Sequence, residues 1–135
     1  IICLGPTSTF SFGRYYAQST YDLHEYRDKV ENGIFPISKS YVLNDDDLLR
    51  RECNFELQCN QLLNLDKISQ TYNINFNSYF KKEIIRLKEF ENKGFIVFNN
   101  NQITVTTIGR YFVRQICQVF DTFLENSDDY KVHGN

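Results

Sequence analysis

Between Asn44 and Thr106 the apolar residues switch period once, and that switch limits the fold more than any other feature of the chain. Asn44 or Asp45 can cap a long helix, with Asp46 and Asp47 in the first turn, where the helix dipole favours negative charge. Leu48, Cys53, Phe55, Leu57, Cys59, Leu62 and Leu63 are expected to supply its buried side. A short helix, Leu65–Tyr72, ends at Asn73. Phe76, Tyr79, Phe80, Ile84, Leu87 and Phe90 then repeat at three and four through a third helix that stops at Lys93-Gly94. Phe95–Thr106, FIVFNNNQITVT, alternates instead, with two runs flanking an Asn triplet able to adopt the positive φ of a tight turn.

A last helix, Ile108–Glu125, follows the hairpin, its apolar face made by Phe112, Val113, Ile116, Cys117, Phe120, Phe123 and Leu124. Helix, short helix, helix, hairpin is the order of a winged helix-turn-helix, here with an extra helix behind the wing. Its expected core includes Leu48, Leu57, Phe80, Leu87, Ile103, Phe112, Ile116 and Phe120. The fold class that follows is mainly α with a small β-hairpin.

The first 43 residues carry weaker signals. Ile1–Leu4 reads as the end of a buried strand, and GPTSTFSFG, Gly5–Gly13, as a loop of turn formers. An aromatic patch (Tyr15, Tyr16, Tyr21) precedes a helix, Tyr21–Glu31, closed by Asn32-Gly33. Ile34–Leu43, with Pro36, reads as an extended connector, and Asn126–Asn135 as a polar, frayed tail.

With 12 Phe and 9 Tyr among 135 residues, the chain has enough apolar bulk for a real core. A formal charge of −2 gives no global basic field to draw it to nucleic acid or anionic lipid. No run approaches the roughly 18 apolar residues of a membrane span, and no secretory signal is visible. Cys3, Cys53, Cys59 and Cys117 lack the close spacing of a zinc site and read as reduced thiols of a cytoplasmic protein; Cys53 and Cys59 fall on different helix faces. The chain has no Met and begins IICLG, which reads as a piece of something longer.

Two constellations carry possible chemistry. In a DNA-binding winged helix, Asn77–Lys93 would be the recognition helix, presenting Lys81, Lys82, Arg86, Lys88 and Lys93. Glu83, Glu89 and Glu91 cancel most of that field, so phosphate contacts have little to draw on. Arg50, Arg51, Arg110 and Arg114 could meet carboxylates of a substrate or partner, or form ion pairs with Asp46, Asp47, Glu52 or Asp121 that fasten the last helix to the first. His24 and His133 have no nucleophile or carboxylate at informative spacing.

The order of LGPTSTFSFG (Leu4–Gly13), YYAQ (Tyr15–Gln18), DLHEY (Asp22–Tyr26), YVLNDDDLLRRE (Tyr41–Glu52), Cys59-Asn60, FNSYF (Phe76–Phe80), NKGFI (Asn92–Ile96) and TTIGRYFVRQICQVFDTFL (Thr106–Leu124) resembles the C-terminal region of the oxygen-independent coproporphyrinogen III oxidases. These are radical S-adenosylmethionine (SAM) enzymes of haem biosynthesis. The resemblance implies a parent protein whose preceding barrel holds a 4Fe-4S cluster on a CxxxCxxC motif and uses SAM to convert propionates of coproporphyrinogen III to vinyls, giving protoporphyrinogen IX. No CxxxCxxC is present here, so no catalytic residue, metal or cofactor of its own is expected in this chain. The implied organisation is the end of the barrel (1–20), a linking helix and connector (21–43), a winged-helix-like domain (44–126) and a polar tail (127–135).

Within the resemblance, Gly5–Ser11 matches a segment that contacts bound SAM, which assigns Thr9 as a SAM contact in place of the usual aliphatic residue. A substrate with four propionates needs cations. Arg14 and Arg27 lie nearest the barrel end, and Arg14 is the substrate-binding candidate. The implied partners are the parent barrel and coproporphyrinogen III, without nucleic acid or membrane, in a monomer. Two alternatives stay open: a winged-helix module for nucleic acid or protein, and the haem-chaperone branch of the same family. The ending FDTFL looks more like the oxidase branch.

Overall fold

The computed structural model describes residues 3–122. The chain divides into two compact units, residues 1–48 and 49–135. Among the described residues there are six α-helices and two three-stranded antiparallel sheets, so the fold is mixed rather than mainly α with one hairpin.

In the first unit, β1 (Thr9–Phe12), β2 (Tyr15–Ser19) and β3 (Ile37–Val42) form a sheet in the order β1-β2-β3. The expected loop Gly5–Gly13 is thus half strand. TFSF alternates, and Gly13, at φ 57°, supplies the positive angle that lets Phe12 turn back to pair with Tyr15. Leu4, expected at the end of a buried strand, is 90% exposed and in no strand; Ile1 and Ile2 lie outside the described residues. Helix α1 (Leu23–Glu31) is capped by Asp22, whose side chain accepts from the Glu25 amide at 2.8 Å, and ends at Asn32-Gly33 as the sequence predicts. The expected connector contains β3, which pairs with β2 along its length.

Helix α2 (Asp45–Phe55) starts with a reciprocal cap. The Asp47 amide donates to Asn44 Oδ1 at 2.8 Å, and the Asn44 amide donates to Asp47 Oδ2 at 3.0 Å. A π-helical turn, Glu56–Asn60, continues it and ends at Gln61 with φ 58°. Its buried stripe runs Leu49, Cys53, Leu57, one residue out of phase with the expected Leu48, which is half-buried. Phe55, Cys59 and Leu62, expected inside, are exposed because they fall outside that stripe; Cys53 and Cys59 do occupy different faces.

The second unit continues with β4 (Leu62–Asn64), α3 (Leu65–Tyr72), α4 (Phe76–Tyr79), α5 (Lys81–Asn92), β5 (Ile96–Asn99) and β6 (Gln102–Val105). Helix α3 and its Asn73 terminus match the sequence reading, Asn73 taking φ 51°. The single third helix is two, broken at Phe80, whose ring is fully buried between Phe76 at 4.7 Å and Phe120 at 5.1 Å. The hairpin turns at Asn100, at φ 48°, and β6 also pairs with β4, giving the order β4-β6-β5.

The expected continuous helix Ile108–Glu125 is instead a 3-10 turn (Gly109–Phe112), α6 (Val113–Cys117) and a second 3-10 turn (Gln118–Phe120). Tertiary packing overrides helix periodicity here. Phe112 stacks on Phe95 at 4.3 Å and 9°, and Asp121 is already extended after Phe120. Phe123, Leu124 and Glu125 lie outside the described residues. The core gathers Leu49, Cys53, Leu57, Leu63, Ile68, Phe80, Leu87, Ile96, Ile103, Ile116 and Phe120; Phe112, expected inside, sits at its margin at 37% exposure.

Candidate functional site

The first unit presents two chemically different sheet faces. Cross-strand partners share a face, so the rows Thr9–Gln18–Lys39 and Ser11–Tyr16–Tyr41 make one side polar and hydroxyl-rich. The rows Phe12–Tyr15–Val42 and Phe10–Ala17–Ser40 make the other side apolar. Thr9 therefore stands, exposed, on the polar face. Tyr41 on that face donates to Asp47 Oδ2 at 3.1 Å, and burial together with this carboxylate raises its phenol above the usual range.

Arg14 lies in the β1–β2 turn and is half-exposed. Its guanidinium donates to Asp45 Oδ1 at 3.1 Å and to the Leu43 carbonyl at 3.5 Å, so one of its faces is already occupied by the start of α2. Arg27 is exposed on α1. The structure does not bring Thr9 and Arg14 together on one strand row.

At one end of the apolar face a groove of about 550 Å³ is lined mainly by Phe10, Tyr26, Val30, Ile34, Phe35 and Ile37. That volume is in the range of ligand pockets. Its few polar groups are paired: Gly5 N donates to Tyr26 Oη at 3.1 Å, and the Ser8 and Ser19 hydroxyls lie 3.0 Å apart. None of the lining residues is charged. The sequence reading missed this groove, although Val30, Ile34, Phe35 and Ile37 cluster around the Asn32-Gly33 turn, which folds them onto one side.

In the second unit, Arg50 pairs with a carboxylate that the sequence reading did not name. It donates to Glu83 Oε1 on α5 at 2.8 Å and to the Phe120 carbonyl at 3.4 Å, and lies over the Phe80 ring at 5.2 Å. Arg110 and Arg114 are exposed. On α5, Arg86 donates to the Val119 carbonyl at 3.4 Å, and Lys88 pairs with Glu91 at 2.8 Å while covering Phe98.

The donor set does not fit an iron–sulfur cluster. Cys53 and Cys117 are buried, Cys59 is exposed, Cys3 belongs to the other unit, and no three His, Cys, Asp or Glu side chains converge among the described residues. Burial, with a smaller contribution from Cys59, pushes the Cys117 thiol up to about 11. Among the described residues no helix is long and apolar enough to cross a membrane.

A family model described as the HemN C-terminal domain matches residues 43–112. The oxygen-independent coproporphyrinogen III oxidase of Helicobacter pylori (strain ATCC 700392 / 26695) is 32% identical over 129 residues, covering 96% of this chain and 28% of that protein. Its counterpart from Synechocystis sp. (strain ATCC 27184 / PCC 6803 / Kazusa) is 33% identical over 130 residues, covering 93% and 28%. The solved structure of coproporphyrinogen III oxidase (HemN) from Escherichia coli, a radical SAM enzyme, matches with a TM-score of 0.82 at 29% identity, over 89% of this chain and 28% of that one. The chain thus spans little more than a quarter of the relatives it matches. By this match over more than half of its length, the chain belongs to the HemN C-terminal domain family.

Proposed function

We propose that this chain is the C-terminal part of a cytoplasmic, monomeric oxygen-independent coproporphyrinogen III oxidase, which decarboxylates propionates of coproporphyrinogen III to vinyls and yields protoporphyrinogen IX. The observation that carries this reading is agreement of fold across 89% of the chain with an enzyme of that name, at 29% identity. The 4Fe-4S cluster and SAM belong to the rest of the longer polypeptide, because the thiols here are too scattered to ligate a cluster.

This chain's contribution is positioning and enclosure. Residues 1–20 complete the barrel and 21–43 link it to a winged-helix-like domain, 44–126, with a tail at 127–135. The β4-α3-α4-α5-β5-β6 order supports the winged-helix reading. That domain caps the cleft and keeps water from the reacting centre. Thr9, on the hydroxyl-rich face, touches SAM. Arg14, adjustable because its Asp45 pair is exposed, holds a substrate propionate.

A nucleic-acid reading is weaker because two of the α5 cations are already used: Arg86 at the Val119 carbonyl and Lys88 at Glu91. An anaerobic assay of the longer polypeptide with coproporphyrinogen III, SAM and a reductant tests the proposal. Conversion to vinyl products supports it. No conversion, together with salt-sensitive DNA binding that charge reversal at Lys81 and Lys82 removes, overturns it.

A further inference from the structure

We propose that Cys59 and Cys117 form a modification site for hydrogen peroxide, at which the two thiols are oxidised to an intramolecular disulfide. The pair belongs to the second unit and involves neither Thr9 nor Arg14.

The geometry starts at the end of α2. Cys59 is exposed in the π-helical turn Glu56–Asn60, and α6 packs against that turn. Cys117 is the last residue of α6, and its thiol donates to the Asn54 carbonyl at 3.7 Å. A helical carbonyl points along the axis toward the residues four or five positions on, and Cys59 stands five positions after Asn54. The buried sulfur is therefore held at the turn that carries the exposed one. Charge at Cys59 is also felt there: after burial, it is the second cause that raises the Cys117 thiol. Cys53 is fully buried in the core on a different helix face from Cys59, and Cys3 belongs to the other unit.

Two features mark this turn as more than packing. A π turn interrupts an α-helix and is frequent at functional sites, and this one ends at Gln61, a non-glycine residue at φ 58°. Asn54 Oδ1 is buried without a hydrogen-bond partner among the described residues, a rare omission for which redox chemistry is one recognised cause.

The difference in burial sets the order of events. The thiolate is the nucleophile, so exposed Cys59 reacts first and Cys117, kept protonated, does not meet the peroxide. The Cys59 sulfur bonds to one peroxide oxygen, the O–O bond breaks and water leaves, giving a sulfenic acid. The Cys117 sulfur then attacks the Cys59 sulfur and the sulfenic hydroxyl leaves as water with the Cys117 proton. Two thiols lose two hydrogens, and one peroxide becomes two waters. Helix α6 is only five residues between two 3-10 turns, so a small shift of its end frees the sulfur from the Asn54 carbonyl.

Peptide mass mapping after hydrogen peroxide treatment and alkylation tests this on the 135-residue chain and on the longer polypeptide. A Cys59–Cys117 cross-linked peptide, two hydrogens lighter than its reduced halves and lost with dithiothreitol, is expected in both. In Cys117→Ala, Cys59 is expected to stop at the sulfenic acid and to be labelled by dimedone. The unmodified chain decides the matter even where that variant does not fold. Cys59 oxidised while Cys117 stays a free thiol overturns the proposal, as does Cys59 joined to any other cysteine or to a second copy. Both thiols unreacted overturns it too. A cross-link in the short chain that is missing from the longer polypeptide also overturns it, because the exposure of Cys59 then belongs to the isolated span.

Discussion

Arg50 on α2 and Glu83 on α5 form an ion pair of 2.8 Å with both side chains largely buried, and the same guanidinium reaches the Phe120 carbonyl. One residue therefore ties three separate elements of the second unit together. Glu83→Gln removes the charge partner while the guanidinium stays enclosed, and such a loss costs about 3 kcal/mol. The double variant Arg50→Met, Glu83→Leu is expected to recover most of it. Urea denaturation monitored by circular dichroism measures both; a Glu83→Gln variant as stable as the parent contradicts the assignment.

Gly109 presents a second close relationship. A Cβ there would run into the Phe95 carbonyl oxygen, while the Gly109 amide donates to Thr106 Oγ1 at 3.0 Å and Thr106 Oγ1 donates to the Gly94 carbonyl at 2.8 Å. Gly109→Ala must shift backbone rather than a flexible side-chain end, for a loss of about 2 kcal/mol or more. Thermal melting reads this directly, and an unchanged midpoint would contradict it.

The thiols should separate by burial. Cys59 is exposed and is expected to react with iodoacetamide in the native chain at pH 8, whereas Cys53 and Cys117 react only after unfolding. Because the Cys117 thiol is raised to about 11 in the fold, its contribution to stability is complete below the ordinary thiol range and is lost as pH climbs through that range toward 11. Cys117→Ala is expected to flatten the alkaline slope of unfolding free energy. An identical slope in both proteins removes Cys117 as a cause.

Arg14 gives the sharpest substrate test. In the longer polypeptide, the proposed role of Arg14 in holding a propionate outside the chemistry requires Arg14→Ala to raise KM for coproporphyrinogen III with little change in kcat. An unchanged KM removes Arg14 from the substrate site.

Helix ends were legible in the sequence because caps are local. Asn44, Asn73 and the Asn100 turn are set within three or four residues, whereas α1, expected from Tyr21, starts at Leu23 behind the Asp22 cap, which the sequence reading did not name. Leu57, Phe80, Leu87, Ile103, Ile116 and Phe120 were legible as core because each lies on a stripe of at least two turns or an alternating run. Strand β1 was hidden by serines and threonines that turns also favour, and β4 by its three-residue length, too short to show alternation. The breaks at Phe80 and Phe112 come from ring packing between elements far apart in sequence, which no local pattern encodes. The groove escaped notice because its walls come from β1, α1 and β3 together, and only sheet pairing brings them side by side.

The central claim, that this chain completes an oxidase whose redox centre lies elsewhere, is tested most directly by deleting it. The longer polypeptide and a version lacking these 135 residues are reconstituted anaerobically, and cluster absorbance and coproporphyrinogen III consumption are followed together. The account predicts an intact cluster in both and turnover only in the complete protein. Equal turnover without this chain would contradict it.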